Sequence, residues 1–260
     1  MFNFSAIILS ISLFLAGCAS ESLTIKSYAP TPEQGVTISG KVYKPEGDGP
    51  FPGIIFMGGC IPNSDNEFVW ARKLQKWGYA TLIVDSYSPR GVYDNCDKNR
   101  VLYLERALDA HAAKVQFGAL PFVDESRVGI MGYCHGATTI LAAANRSFLF
   151  GLPDEAAYPF KAAVALYPWC GRSVGEVNTN LMILIGDKDD WTPASLCTDN
   201  IPKPSSSDIE VIYKVYPDAY HMFDYNKNLR TFMGHWLGYN QKAMNDAEPR
   251  IKAFFDMHLR

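Results

Sequence analysis

Gly132-Tyr133-Cys134-His135-Gly136 is the stretch of this chain best suited to do chemistry: a cysteine with a glycine two positions to either side. The strand-like run Val128 to Met131 precedes it and the helix-competent run Ala137 to Ala144 follows it. That is the strand, sharp turn and helix context of a nucleophile elbow. At such a bend the nucleophile holds a strained backbone and side chains two positions away would collide, so both neighbours must be glycine. With cysteine at the apex the implied chemistry is acyl transfer through a thiolate, an anion that the start of the following helix favours. A cysteine among glycines is also compatible with a small buried hydrophobe. Partners further along the chain decide between the two.

Leu181 to Ile185 reads as a buried strand and runs into Gly186-Asp187-Lys188-Asp189-Asp190-Trp191-Thr192-Pro193. This sets a carboxylate at the strand's C-terminal edge, where ligands gather in open α/β sheets. Asp187 and Asp190 compete as helix caps or solvated loop residues, and the spacing Gly-x-x-Asp-x-x-x-Pro selects Asp189 as the catalytic acid. After the next strand, Val211 to Val215, comes Ala219-Tyr220-His221-Met222-Phe223. Of the five histidines, His221 and His135 fall in strand-end loops, whereas His111, His235 and His258 fall in expected helices. Cys134, Asp189 and His221 thus follow the order nucleophile, acid, histidine. The backbone N–H of His135 is the expected oxyanion donor, with a second from Gly59 or Cys60 in Met57-Gly58-Gly59-Cys60, a stretch that also suits a plain tight turn. Tyr133, Trp169, Trp191 and Phe223 lie beside expected strand ends, as pocket wall or as core.

The elements that must carry these residues alternate. Leu23 to Tyr28 and Val36 to Tyr43 read as an antiparallel opening pair around Pro30, Pro32 and Gly35. Pro52 to Met57 and Ala80 to Val84 are short apolar strands, and Ser64-Asp65-Asn66-Glu67 is a capping box for a helix that Gly78 closes. Val101, Leu104, Leu108, Ala112 and Val115 share one helical face ahead of the elbow strand. Ala162 to Leu166 adds another buried strand, and a final amphipathic helix lies around Ile251 to Met257. Continuous apolar runs suit parallel strands covered on both faces, so the expected fold class is α/β, a doubly wound and mostly parallel sheet with helices on both faces.

With 260 residues, 48% of them hydrophobic, the chain can bury a large core as one domain. A net charge of −3 with scattered lysines and arginines points away from nucleic acid. Phe4 to Ala16 is almost wholly apolar, too short to span a bilayer but suited to a signal peptide. Leu15-Ala16-Gly17-Cys18 is similar to a bacterial lipobox, although no Lys or Arg precedes the apolar run. The expected organisation is a lipoprotein signal peptide over 1–17, a tether over 18–22 that begins with lipidated Cys18, and a catalytic domain over 23–260. Export to the bacterial cell envelope follows, with Ala19 after Cys18 similar to sorting to the outer membrane, facing the periplasm. In that oxidising space five cysteines remain. Cys60 and Cys96 lie in loops after early strands, and Cys170 and Cys197 follow later strands expected to be neighbours. The favoured pairs are therefore 60–96 and 170–197, with Cys134 free, against the alternative of four reduced thiols.

The elbow, the acid loop at Asp189 and the segment Ala219-Tyr220-His221-Met222-Phe223 together resemble the dienelactone hydrolase family of α/β-hydrolases, from about Val36 to the C-terminus. The resemblance implies the α/β-hydrolase fold, a Cys134-His221-Asp189 triad, hydrolysis of a small carboxylic ester or lactone through a thioester, and neither cofactor nor metal. It also implies that Arg90 binds substrate. Two positions depart from the family's archetype: Gly58 stands where a glutamate meets the resting thiol, and Tyr225 stands four residues after the histidine where an arginine is expected. Competing readings are a non-catalytic lipid-anchored binding protein on the same fold and a thiol redox protein, the latter disfavoured by the lack of Cys-x-x-Cys.

Overall fold

The computed structural model describes residues 21–28, 35–171 and 175–260. The signal peptide and the lipidated Cys18 expected from the sequence lie outside the described residues. Twelve strands are described: β1 (Glu21–Lys26), β2 (Thr37–Tyr43), β3 (Phe51–Met57), β4 (Ala80–Asp85), β5 (Val123–Tyr133), β6 (Ala162–Leu166), β7 (Glu176–Val177), β8 (Asn180–Gly186), β9 (Lys203–Pro204), β10 (Val211–Tyr216), β11 (Arg230–Phe232) and β12 (His235–Leu237). The helices are α1 (Asp65–Lys76), α2 (Tyr103–Gly118), α3 (His135–Ala143), α4 (Arg146–Leu149), α5 (Ala194–Asp199) and α6 (Gln241–Leu259).

Eight strands form one sheet in the order β1-β2-β4-β3-β5-β6-β8-β10. β1, β2 and β4 pair antiparallel and every later pairing is parallel. The alternating burial of β2 suits a strand near the edge, whereas β3, β6 and β8 are buried almost end to end and read as unbroken apolar runs. Helices α2 and α3 pack on each other across the middle strands. Helices α1 and α6 are joined by an ion pair between Lys73 and Glu248 at 2.6 Å. Parallel strands point the same way, so the loops after β3, β5, β8 and β10 emerge at one edge of the sheet, which is where the chemistry-bearing segments sit. Among the described residues no helix is long and apolar enough to cross a membrane.

Several expectations are corrected. The stripe Leu104, Leu108 and Val115 does not face the sheet: Leu104 is 45% exposed, and Leu108 and Val115 pack on a satellite cluster of Leu149, Leu152 and Ala156. The buried face of α2 instead carries Arg106, Asp109, Ala110, Ala113 and Phe117. Its alanines permit close approach, and its polar groups find partners inside. Ser64 does cap α1, but its hydroxyl bonds to the Tyr133 hydroxyl at 2.6 Å rather than to a helix N–H. The final helix starts ten residues before its expected onset, with Pro249 accommodated inside it. His235, expected in a helix, lies in β12, one strand of a hairpin whose two three-residue strands are too short to show a strand period in the sequence. Both favoured disulfides are present, Cys60–Cys96 and Cys170–Cys197, and Cys134 is the free thiol.

Candidate active site

Cys134 stands between the end of β5 and the start of α3 with φ 55° and ψ −124°, a conformation costly for any side-chain-bearing residue. Its N–H donates to the Leu166 carbonyl at 3.0 Å, which pins the bend to β6. The two flanking glycines are required by close approach. A Cβ on Gly132 would lie 2.2 Å from the Met57 carbonyl oxygen, and one on Gly136 would lie 2.0 Å from that oxygen and 2.4 Å from the oxygen of Gly58. The loop after β3 is thus cradled directly against the elbow. The sulfur-bearing residue itself is only partly buried.

Asp189 and His221 meet in the interior, with Asp189 Oδ2 2.8 Å from His221 Nδ1. The carboxylate is held from the other side by the N–H groups of Trp191 (3.0 Å) and Thr192 (2.8 Å) on Oδ1, and by the Thr192 hydroxyl on Oδ2 at 2.9 Å. Its competitors are occupied elsewhere: Asp187 accepts the Asp218 N–H, and Asp190 accepts the Trp236 N–H. Burial of His221 opposes its charge, but the Cys134 sulfur and the Asp189 carboxylate outweigh that and raise its pKa to about 10. Its Nε2 is buried with no formed hydrogen bond, the ring nitrogen left for the thiol. The His221 carbonyl accepts from Gly238 N–H at 3.1 Å, so the β11–β12 hairpin clasps this loop. Trp191 lies between His221 (ring centroids 5.1 Å) and His235 (4.9 Å, nearly parallel).

On the opposite side, the carbonyls of Gly58 and Gly59 are turned toward buried donors. Arg106 Nη2 reaches Gly58 O at 2.9 Å and Nη1 reaches Gly59 O at 3.4 Å, while the Tyr87 hydroxyl reaches Gly59 O at 3.1 Å. Cys60 is tied to the same region through its bridge to Cys96 and by the Asn95 N–H on its carbonyl at 2.9 Å. The His135 ring is held by Arg106 Nη1 at 2.9 Å, and burial, with Arg106 adding to it, lowers its pKa to about 3. Glu67 of α1 presses against Gly58: a Cβ there would come within 1.9 Å of Glu67 Oε1. Burial drives the Glu67 carboxyl up to about 8 despite the opposing pull of Arg106. A carboxyl is therefore brought to Gly58, where the archetype's glutamate was expected, from the neighbouring helix. Among the described residues no cluster of histidine, cysteine or carboxylate is arranged to hold a metal.

The dienelactone hydrolase family model matches residues 38–259. The chain belongs to the dienelactone hydrolase family. Its fold is shared by many solved structures, among them three of similar length. One is a dienelactone hydrolase-like promiscuous phosphotriesterase from metagenomic libraries (20% identity, 93% of this chain and 100% of that one, TM-score 0.69). The second is a candidate dienelactone hydrolase from Klebsiella pneumoniae subsp. pneumoniae (21%, 92% and 99%, 0.66). The third is a dienelactone hydrolase from Anabaena variabilis (16%, 93% and 99%, 0.65). A search of curated protein sequences found no match. Membership makes this chain a hydrolase of the carboxylic ester and lactone class.

Within this dienelactone hydrolase-family site, not every residue expected at the pocket lies there. Phe223 is fully buried, edge-on to Tyr167 and beside Tyr216, and presents no surface to a ligand. Tyr133 is also buried, its ring beneath Gly59 and its hydroxyl on Ser64. Arg90 is committed to Asp109 in a two-pronged pair (2.8 and 2.9 Å) and to the Ser86 carbonyl, so its fork is not free for a substrate carboxylate. Trp169, 40% exposed, and Trp191, partly exposed and packed near His221, are the two aromatic residues of this set that present surface. Sequence reasoning missed Asp224, whose carboxylate collects Tyr167 OH and Trp70 Nε1 at 2.6 Å each and Asn66 Nδ2 at 3.0 Å. It missed Arg106 and Tyr87 as well. The signal for Arg106 was a helical face of Arg106, Ala110, Ala113 and Phe117, small enough to pack closely but hidden by the more apolar stripe beside it.

Proposed function

We propose that this protein cleaves carboxylic esters or lactones with Cys134 as nucleophile, His221 as base and then acid, and Asp189 as the group that orients and charges the imidazole. The observation that carries this reading is the buried 2.8 Å contact of Asp189 with His221 Nδ1, with Nε2 unpaired and the only unbridged cysteine among the described residues, Cys134, on a strained bend close enough to raise the His221 pKa. The thiol proton already rests on the His221 imidazole, whose raised pKa favours the imidazolium beside a thiolate, and that thiolate adds to the carbonyl carbon. The resulting oxyanion is stabilised by the N–H of His135 and one from Gly59 or Cys60, each donor contributing about 3 kcal/mol to the transition state. Collapse expels the alcohol, which takes the proton from His221 and leaves a thioester on Cys134. Water, deprotonated by His221, then attacks that thioester and releases the acid.

Trp191 and Trp169 at the rim support a substrate with an apolar or aromatic portion. The commitment of Arg90 to Asp109 speaks against recognition of an anionic substrate by that residue. Hydrolysis of short aryl esters, lost in both Cys134→Ala and His221→Ala and accompanied by a trapped thioester in the wild type, is the expected result. Equal rates in mutant and wild type would sink the assignment. We further infer a lipid anchor at Cys18, supported by the lipobox-like Leu15-Ala16-Gly17-Cys18. Labelled palmitate fed to expressing cells should be incorporated into the wild type and not into Cys18→Ser.

A further inference from the structure

We propose that Arg106 is the positioning residue of the oxyanion hole, one buried guanidinium that sets both halves of it at once; this rests on the hydrolase reading above. Arg106 is 1% exposed on α2, and its fork holds the carbonyls of Gly58 and Gly59 and Nδ1 of His135. It also lies over the Tyr87 ring, 4.6 Å from the centroid. A planar trans peptide directs its C=O and its N–H to opposite sides. Drawing the Gly58 and Gly59 carbonyls toward Arg106 therefore turns the N–H groups of Gly59 and Cys60 the other way. These residues stand beside the nucleophile, because a Cβ on Gly59 would lie 3.8 Å from Cys134 Cβ.

The third contact acts on the other half. Arginine has donors only, so a 2.9 Å approach to His135 Nδ1 makes that nitrogen the acceptor and fixes the ring as the neutral Nε2–H tautomer. The 3.5 Å approach of Asn95 Nδ2 to Nε2 is too long to compete. With its ring held, His135 cannot swing its own backbone N–H away from the sulfur. Tyr87 reinforces the first contact, its hydroxyl donating to Gly59 O at 3.1 Å while its oxygen packs 3.1 Å from His135 Nδ1. Donors of this kind accelerate a reaction only when they are already aimed before charge develops. The arrangement supplies that aim from a residue that never touches substrate.

The test compares Arg106→Met, Arg106→Lys and Tyr87→Phe with the wild type, using p-nitrophenyl butyrate as substrate and butanal as an inhibitor that forms a hemithioacetal with Cys134. Arg106→Met should lower kcat about 100-fold with KM changed less than threefold, and should weaken butanal by a factor similar to the loss in kcat. Arg106→Lys, which offers charge without a fork, should recover less than a tenth of the loss. Tyr87→Phe should lower kcat about threefold. A folded Arg106→Met with kcat within threefold of wild type overturns the proposal, as does a loss carried equally by KM with butanal binding unchanged. Should Arg106→Met not fold, wild-type kcat in both Arg106→Lys and Tyr87→Phe overturns it. Absence of turnover in the wild type would instead strike the hydrolase reading, so the two failures are told apart.

Discussion

The two walls that face each other across Cys134 are built by different physics. The wall made by the loop after β3, the oxyanion wall of the proposed mechanism, is locked by directional bonds: a buried arginine, a tyrosine hydroxyl and a disulfide all act on three consecutive residues. The imidazole wall, made by the loops after β8 and β10, contains one strong polar pair, Asp189 and His221, backed by stacked rings from Trp191 and His235 and clasped by a surface hairpin. Hydrogen bonds fix direction, as donors aimed at a transition state need. Ring stacking fixes surface and excludes water while tolerating small displacements, which suits a ligand wall. The first wall should therefore govern kcat and the second, outside its polar pair, should govern KM.

The strongest way to break that contrast is through the polar pair itself. Asp189→Asn should lower kcat/KM about a thousandfold to ten-thousandfold, because the imidazole loses its orienting carboxylate. The wild-type profile of kcat/KM should stay level up to about pH 10, where His221 gives up its proton, and that limb should move to lower pH in Asp189→Asn. The same raised pKa means that the stability His221 confers is fully present below pH 6.5 and is lost as pH rises through about 10. Chemical denaturation at pH 6 and pH 10 would show it.

Next in size is Asp224→Ala, which removes the acceptor that ties α1 to Tyr167 beneath both walls. Three buried donors would be left unpaired, so a loss of about 3–5 kcal/mol and a melting point lower by about 10 °C are expected. Glu67→Gln tests the oxyanion wall alone and has the opposite sign. The Glu67 carboxyl, held neutral by burial, makes the wild type lose stability between about pH 4.5 and pH 8 as the unfolded chain ionises first. The amide avoids that cost, so the variant should be more stable by about 2–4 kcal/mol at pH 9 and unchanged at pH 4. The smallest effect belongs to Trp191→Ala, with KM for an aryl ester raised about fivefold, or ~1 kcal/mol, at nearly constant kcat. A larger change in kcat than in KM there would erase the distinction between the walls.

Much of this site was legible in the chain itself, and the reason differs from residue to residue. The elbow could be read because Gly132 and Gly136 answer a local demand, the approach of the Met57 carbonyl, that no other residue satisfies. Asp189 could be chosen over Asp187 and Asp190 because its spacing from Gly186 and Pro193 is also local. The disulfide partners followed from strand adjacency, which the alternation of elements already implied. Arg90 and Phe223 were misjudged because their roles depend on what lies opposite them in space, an aspartate on α2 in one case and Tyr167 in the other.

The sequence by itself determined the fold class, the place of Cys134 at the elbow and the order in which Asp189 and His221 follow it, because glycine requirements, apolar periodicity and loop spacing act over a few neighbouring residues. Only the tertiary structure decided which face of α2 turns inward, that Arg106 ends on the carbonyls of Gly58 and Gly59, and that Glu67 fills the space beside Gly58. Those outcomes depend on which buried groups meet across separate elements, Arg106 lying 48 residues from Gly58 in the chain. Periodicity along one element carries no record of such partners.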